Sequence, residues 1–129
     1  MNDLDKNVKN DLFARYLGIE LIDLQKGRAV TSLKINEHHL NGIGIAHGAA
    51  VFALADYAFA AASNSHGITA VALNVTISYV KAVQMGSLLK ATAEEITANA
   101  KIATYSITVT DETNAIVATF QGLAYRKKK

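Results

Sequence analysis

Two hydrophobic periods divide the chain into an ordered series of helices and strands. Residues 3–17 carry Leu4, Val8, Leu12, Phe13, Tyr16 and Leu17 at helical spacing, which predicts one amphipathic helix. Asn2 or Asp3 can cap its start and Gly18 can end it. Residues 19–25 and 29–35 read as strands joined by a Lys26-Gly27 turn, which makes a hairpin. Residues 36–46 form a loop in which Gly42 and Gly44 permit unusual backbone angles. From Gly48 to about Ser65 the chain is apolar almost all round and rich in alanine, which predicts a long buried helix stopped by Gly67.

A period of two follows. Val71, Leu73, Val75, Ile77 and Tyr79 alternate with Ala72, Asn74, Thr76 and Ser78, a strand pattern. Residues 88–97, 102–110 and 115–126 read as three more strands. Gly86, Asn99 and the run Asp111-Glu112-Thr113-Asn114 supply the turns. Short connections between consecutive strands imply antiparallel pairing. The order is a short N-terminal helix, two strands, one long helix and four strands. This predicts an α+β domain in which a curved antiparallel sheet wraps the alanine-rich helix. A helix apolar on every side has surface left over. A second copy of the chain is the simplest cover, so a homo-oligomer is expected.

Composition narrows the class. The 129 residues are 50% hydrophobic and 19% charged, which suits one globular domain spanning residues 1–129. There is no cysteine, which removes disulfides, a thiol nucleophile and thiolate metal sites from consideration. No Lys- or Arg-flanked apolar run opens the chain, so no signal peptide is expected. The apolar helix is too short for a membrane span and carries Asp56. Net charge is only +2, with Arg126, Lys127, Lys128 and Lys129 read as a solvated tail. No nucleic-acid-binding motif is present.

The candidate chemistry centres on Asp56, the only formally charged residue between Glu37 and Lys81. A lone carboxylate in an apolar helix is costly to bury without a partner. It either pairs with a backbone amide or basic group and shapes the core, or serves as a nucleophile or general base. Phe52, Ala55, Tyr57 and Phe59 beside it offer no cation. Gly48 falls in the first turn, where N–H groups lack intrahelical partners and the helix dipole adds positive charge. Such an amide can stabilise a developing oxyanion, although a helix-start glycine needs no ligand. Gly48 and Asp56 are eight residues apart, roughly 12 Å along the axis. One reacting carbonyl must lie about 3 Å from both groups, so one chain does not easily supply both. Two antiparallel copies of the helix can, with Gly48 of one facing Asp56 of the other.

Other residues have plain and functional readings. Asn41 is either a turn residue or a group that positions water or an acyl carbonyl. His47 is either a base or a helix-start residue that orders the loop, and because it directly precedes Gly48 the ordering role is expected. Tyr57, Phe59 and Phe52 would suit an aryl or alkyl pocket equally, and Asn64 or Ser65 either ends the helix or lines that pocket. Adjacent His38 and His39 lack a carboxylate cluster, and no metal is expected. No G-x-S-x-G elbow points to serine hydrolysis.

The stretch from Asn41-Gly42 through His47-Gly48-Ala49 to Asp56 resembles the signature of the hotdog-fold thioesterases, closest to the phenylacetate-degradation (PaaI-like) branch. The resemblance extends through Asn64-Ser65-His66-Gly67 and the strand with Asn74 and Tyr79. It implies a hotdog fold and hydrolysis of acyl-CoA thioesters in the cytoplasm without a cofactor or metal. It also implies dimers or tetramers in which sheets join edge to edge and central helices run antiparallel. Asp56 would be the nucleophile or base, Gly48 N–H would polarise the carbonyl, Asn41 would orient water or substrate, and His47 would support the loop. Ala49 departs from the pattern, standing where a second glycine is usual, and its methyl either narrows the approach of substrate or is simply tolerated. Two other readings share this fold: an acyl-thioester hydratase or dehydratase, which needs a His beside the carboxylate, and a non-catalytic acyl-CoA-binding module.

Overall fold

The computed structural model describes residues 3–127 and the side chains of residues 6–127. The expected cap Asn2 and the tail residues Lys128 and Lys129 lie outside the described residues. The elements run α1 (Asp3–Lys9), α2 (Leu12–Leu17), β1 (Glu20–Gln25), β2 (Arg28–Lys34), a single 3₁₀ turn (Glu37–His39), α3 (Gly48–Ser63), β3 (Ala70–Tyr79), β4 (Leu88–Ala98), β5 (Ile102–Thr110) and β6 (Ile116–Arg126). Six antiparallel strands form one sheet in the order β1-β2-β4-β5-β6-β3. This is the α+β hotdog architecture expected from the sequence.

Period-two alternation builds the concave face. Thr31, Ala91, Val109 and Ala118 share one cross-strand row, and Ala29, Ala93, Ile107 and Phe120 the next. All eight are buried. Alanine on the sheet meets alanine on α3, so helix and sheet approach closely. Phe59 is 2% exposed and packs against Tyr105 and Phe120. Burying such a ring contributes on the order of 2–3 kcal/mol. Gly122 makes room for it, because a Cβ there would lie 2.7 Å from the Phe59 ring. Thr31 Oγ1 donates to Leu54 O at 3.0 Å and ties β2 to the middle of α3.

Four local expectations are corrected. The helix expected over 3–17 is two helices, because Asp11 takes extended angles and caps α2 through Ala14 N–H at 2.9 Å. Gly18, left-handed at φ 87°, ends α2 as expected. The long helix stops at Ser63 instead of 65, because the Asn64 side chain takes over the next hydrogen bonds. Strand β3 does not pair with its successor β4: it crosses to the far edge and pairs with β6 alone. Arg126 ends β6, bonded through its backbone N–H to Lys101 O and through Nη1 to Asn99 O, and is no frayed tail. Among the described residues no helix is long and apolar enough to cross a membrane.

Candidate active site

The loop ahead of α3 is fixed from within. His39 is buried, with Nδ1 accepting from Asn36 N–H at 3.0 Å and Nε2 2.7 Å from Leu17 O. The latter contact requires Nε2 to carry the proton. Asn41 Oδ1 accepts from the N–H groups of Ile43 and Ile45 at 3.1 and 3.2 Å. Asn41 is thus the turn residue of this loop, and it also lines the adjoining cleft. His47 caps α3, its Nδ1 accepting from Ala49 N–H at 2.9 Å, the ordering role expected of it.

That cap leaves one amide over. Ala49 N–H bonds to the His47 ring, and the N–H groups of Ala50 and Val51 bond to His47 O. Among the described residues, the Gly48 N–H has no acceptor. Tyr79, at the end of β3, explains the glycine: its OH donates to Gly48 O at 2.9 Å, and a Cβ on Gly48 would lie 3.2 Å from the ring. Tyr79 is legible in the sequence as the last apolar position of a strand, but nothing in that alternation marks it as a neighbour of Gly48.

Asp56 lies on the α3 face turned away from the sheet. Ala49, Ala53, Asp56 and Ala60 form a stripe about one helical turn apart, exposed at Ala49 and half-buried at the other three, with Tyr79 of β3 at its margin. Among the described residues no cation pairs with the Asp56 carboxylate. Burial, then the nearby Asp11 carboxylate, hold its pKa above the usual Asp value. Asp56 opens into a cleft of about 390 Å³ with Phe13, Ala49, Phe52, Tyr57 and Tyr79. A second cleft of about 370 Å³ holds Asn41, Gly48, Val51 and the segment from Tyr79 to Val83. Tyr79 borders both. Within one chain Gly48 and Asp56 therefore open into different clefts.

Two expected pocket residues fall elsewhere. Phe59 belongs to the core, and Asn64 is 8% exposed with its carboxamide fully engaged. Asn64 Nδ2 donates to Ala60 O and Ala70 O at 2.8 and 3.2 Å, and its Oδ1 accepts from Ala70 N–H at 2.8 Å. Ala49 and Tyr57 do line the Asp56 cleft, and Tyr57 OH donates to Val8 O at 2.8 Å. Phe13 and Asp11, also in that cleft, escaped notice because the sequence read them as parts of one surface helix.

The model of the Thioesterase superfamily matches residues 43–118, more than half of the chain, and the matched span carries Gly48, Asp56 and Tyr79. The chain belongs to the thioesterase superfamily. A putative esterase of Archaeoglobus fulgidus is 38% identical to this thioesterase-superfamily chain over 122 residues, covering 95% of it and 79% of the relative. Acyl-coenzyme A thioesterase PaaI of Escherichia coli is 36% identical over 118 residues, covering 92% and 84%. The solved structure of the E. coli PaaI protein superposes with a TM-score of 0.92 at 35% identity, over 95% of this chain and 89% of that one. The resemblance to the PaaI-like branch of the superfamily thus holds over nearly the whole chain.

Proposed function

We propose that the protein hydrolyses acyl-CoA thioesters to a free acid and coenzyme A, at sites shared between two antiparallel copies of α3. The observation that carries this reading is the pair of unspent groups on α3: a carboxylate with no cation and an amide with no acceptor. They are the two things thioester hydrolysis needs, a nucleophile or base and an oxyanion donor. Their placement in separate clefts of one chain supports a site made by two chains. Gly48 of the partner subunit would then polarise the carbonyl that Asp56 attacks directly, or that water attacks with Asp56 as base. Direct attack forms a mixed anhydride and expels the CoA thiolate, and water then cleaves the anhydride. Asn41 would lend its NH₂ to water or the acyl carbonyl, and His47 would hold the Gly48 turn in place. Similarity to the E. coli acyl-coenzyme A thioesterase supports the substrate class.

The edges of the sheet support the same assembly. Strand β1 is a guarded edge: it carries Glu20 and Asp23 and a bulge between Leu21 and Asp23. Strand β3 has ten residues, no charge, and exposed Val71, Leu73 and Tyr79. Strand β3 has a bulge of its own between Ala72 and Asn74, but its lack of charge suits pairing with a second β3 beyond that bulge, giving a dimer, with a cytoplasmic tetramer as a dimer of such dimers.

Thiol release from acyl-CoA esters tests the reading. Asp56→Asn is expected to lower turnover about 100-fold or more while the fold is kept. Full activity in that variant would sink the assignment of Asp56. No turnover by the wild type on any ester, with CoA esters still bound, would replace the enzyme by a binding module.

A further inference from the structure

The Asp56 cleft has one wall that the catalytic reading does not use. Helix α2 supplies it through Asp11, Phe13 and Ala14, opposite Phe52, Asp56 and Tyr57 of α3. This wall is held in place. Ala14 is 3% exposed, Asp11 caps the helix at one end and Gly18 closes it at the other. Tyr57 OH, from the cleft itself, donates to Val8 O and pins the preceding helix. Phe13 nevertheless remains 65% exposed. The fold has little use for that ring, but an apolar group entering the cleft would cover it.

The charges around the cleft have one sign. Among the described residues, the titratable groups that line it are Asp11, Asp56, Tyr57 and Tyr79, with no Lys or Arg. Lys9, Arg15 and Glu20 border a neighbouring cleft on the other side of Asp11, and the Arg15 guanidinium is bonded to Asn10 Oδ1. A second carboxylate carried into the Asp56 cleft would face two others.

We propose that α2 is the selectivity element of the acyl cleft: Phe13 sets the size of the acyl group accepted, and Asp11 rejects acyl groups that end in a carboxylate. The substrates would be CoA esters of neutral, apolar acids. This rests on the thioesterase reading above. Asp11 and Phe13 both act from this wall, and neither touches the reacting carbon.

The variants are Phe13→Ala, which removes an exposed ring, and Asp11→Asn, which keeps a good helix cap while removing the charge. Hydrolysis of acetyl-, butyryl-, octanoyl- and succinyl-CoA is measured for each. In Phe13→Ala the ratio of kcat/KM for octanoyl-CoA to that for acetyl-CoA is expected to fall about tenfold. In Asp11→Asn the ratio of kcat/KM for succinyl-CoA to that for butyryl-CoA is expected to rise about fivefold. A size ratio unmoved in Phe13→Ala overturns the wall, and a charge ratio unmoved in Asp11→Asn overturns the rejection. Wild type inactive on these four esters but active on phenylacetyl-CoA would overturn the selectivity assignment, and wild type inactive on phenylacetyl-CoA as well would overturn the thioesterase reading, a failure distinct from an active enzyme with unmoved ratios.

Discussion

Asp56 is placed where an ionised carboxylate is disfavoured. Burial first, and then Asp11, raise its pKa, so the folded chain binds a proton at Asp56 more readily than the unfolded chain does. Stability on this account is greatest below the unfolded pKa and falls as pH rises through the raised folded one. Asp56→Asn removes that loss, so the variant is expected to melt higher than wild type at neutral pH while losing activity, as a pair of thermal scans would show. Activity should follow the ionised form and decline as pH drops through the raised pKa. Asp11→Asn should carry that limb of the kcat/KM profile to lower pH. Gly48 allows a test of a single amide. It is the first residue of α3, a position where proline is tolerated, and His47 before it is already extended. Gly48→Pro deletes the N–H but also brings a Cβ to 3.2 Å from the Tyr79 ring, so it is read against Gly48→Ala, which adds the same Cβ and keeps the amide: kcat is expected to fall about 100-fold below that of Gly48→Ala, with helix content kept by circular dichroism.

Among the elements, α3 depends on clamps at its far end as much as on its apolar faces. Asn64 joins its last turn to the start of β3 through three hydrogen bonds. Asn64→Ala should destabilise the fold by about 2–3 kcal/mol in denaturant titration, because it leaves buried backbone groups at Ala70 unpaired. Nearby, Glu95 accepts from Tyr105 OH at 2.7 Å and lies 2.8 Å from His66 Nε2. Burial opposes its ionisation, but the bonds from Tyr105 and His66 outweigh it and hold its pKa below the usual value. Its contribution is therefore present above the unfolded pKa and is lost as pH falls through the lowered one. Most element boundaries were legible in the sequence because period and turn residues agree, as at Lys26-Gly27 and along residues 102–110. The break at Asp11 was hidden because apolar spacing continues across it, and only a cap interaction interrupts the helix. The placement of β3 was hidden because alternation fixes which way side chains point but not which strand lies alongside. Asp56 and Gly48 stood out by charge and helix position. Phe59 looked like a pocket residue because aromatic character alone does not say which side of a helix meets the sheet.

At the scale of the assembly, shared sites make a prediction that a self-contained site does not. A heterodimer of Asp56→Asn and Gly48→Pro chains would hold one doubly damaged site and one intact site. Random mixing of the two inactive variants should then restore about a quarter of wild-type activity. Sites confined to one chain would restore none. If β3 forms the proposed dimer, a lysine placed in this uncharged edge, as in Leu73→Lys, should give monomers by light scattering and abolish turnover with it.

The position of β3 also has a cost during synthesis. Each residue of β3 meets its β6 partner only about 40 to 55 residues later in the chain, so at ribosomal speed the strand waits roughly 2 to 11 s before its first neighbour exists. During that wait both of its edges are open. The same uncharged strand that would join two finished subunits is then the segment that chaperones must shield, and slower translation of residues 80–126 should lower the yield of native protein more than slower translation elsewhere.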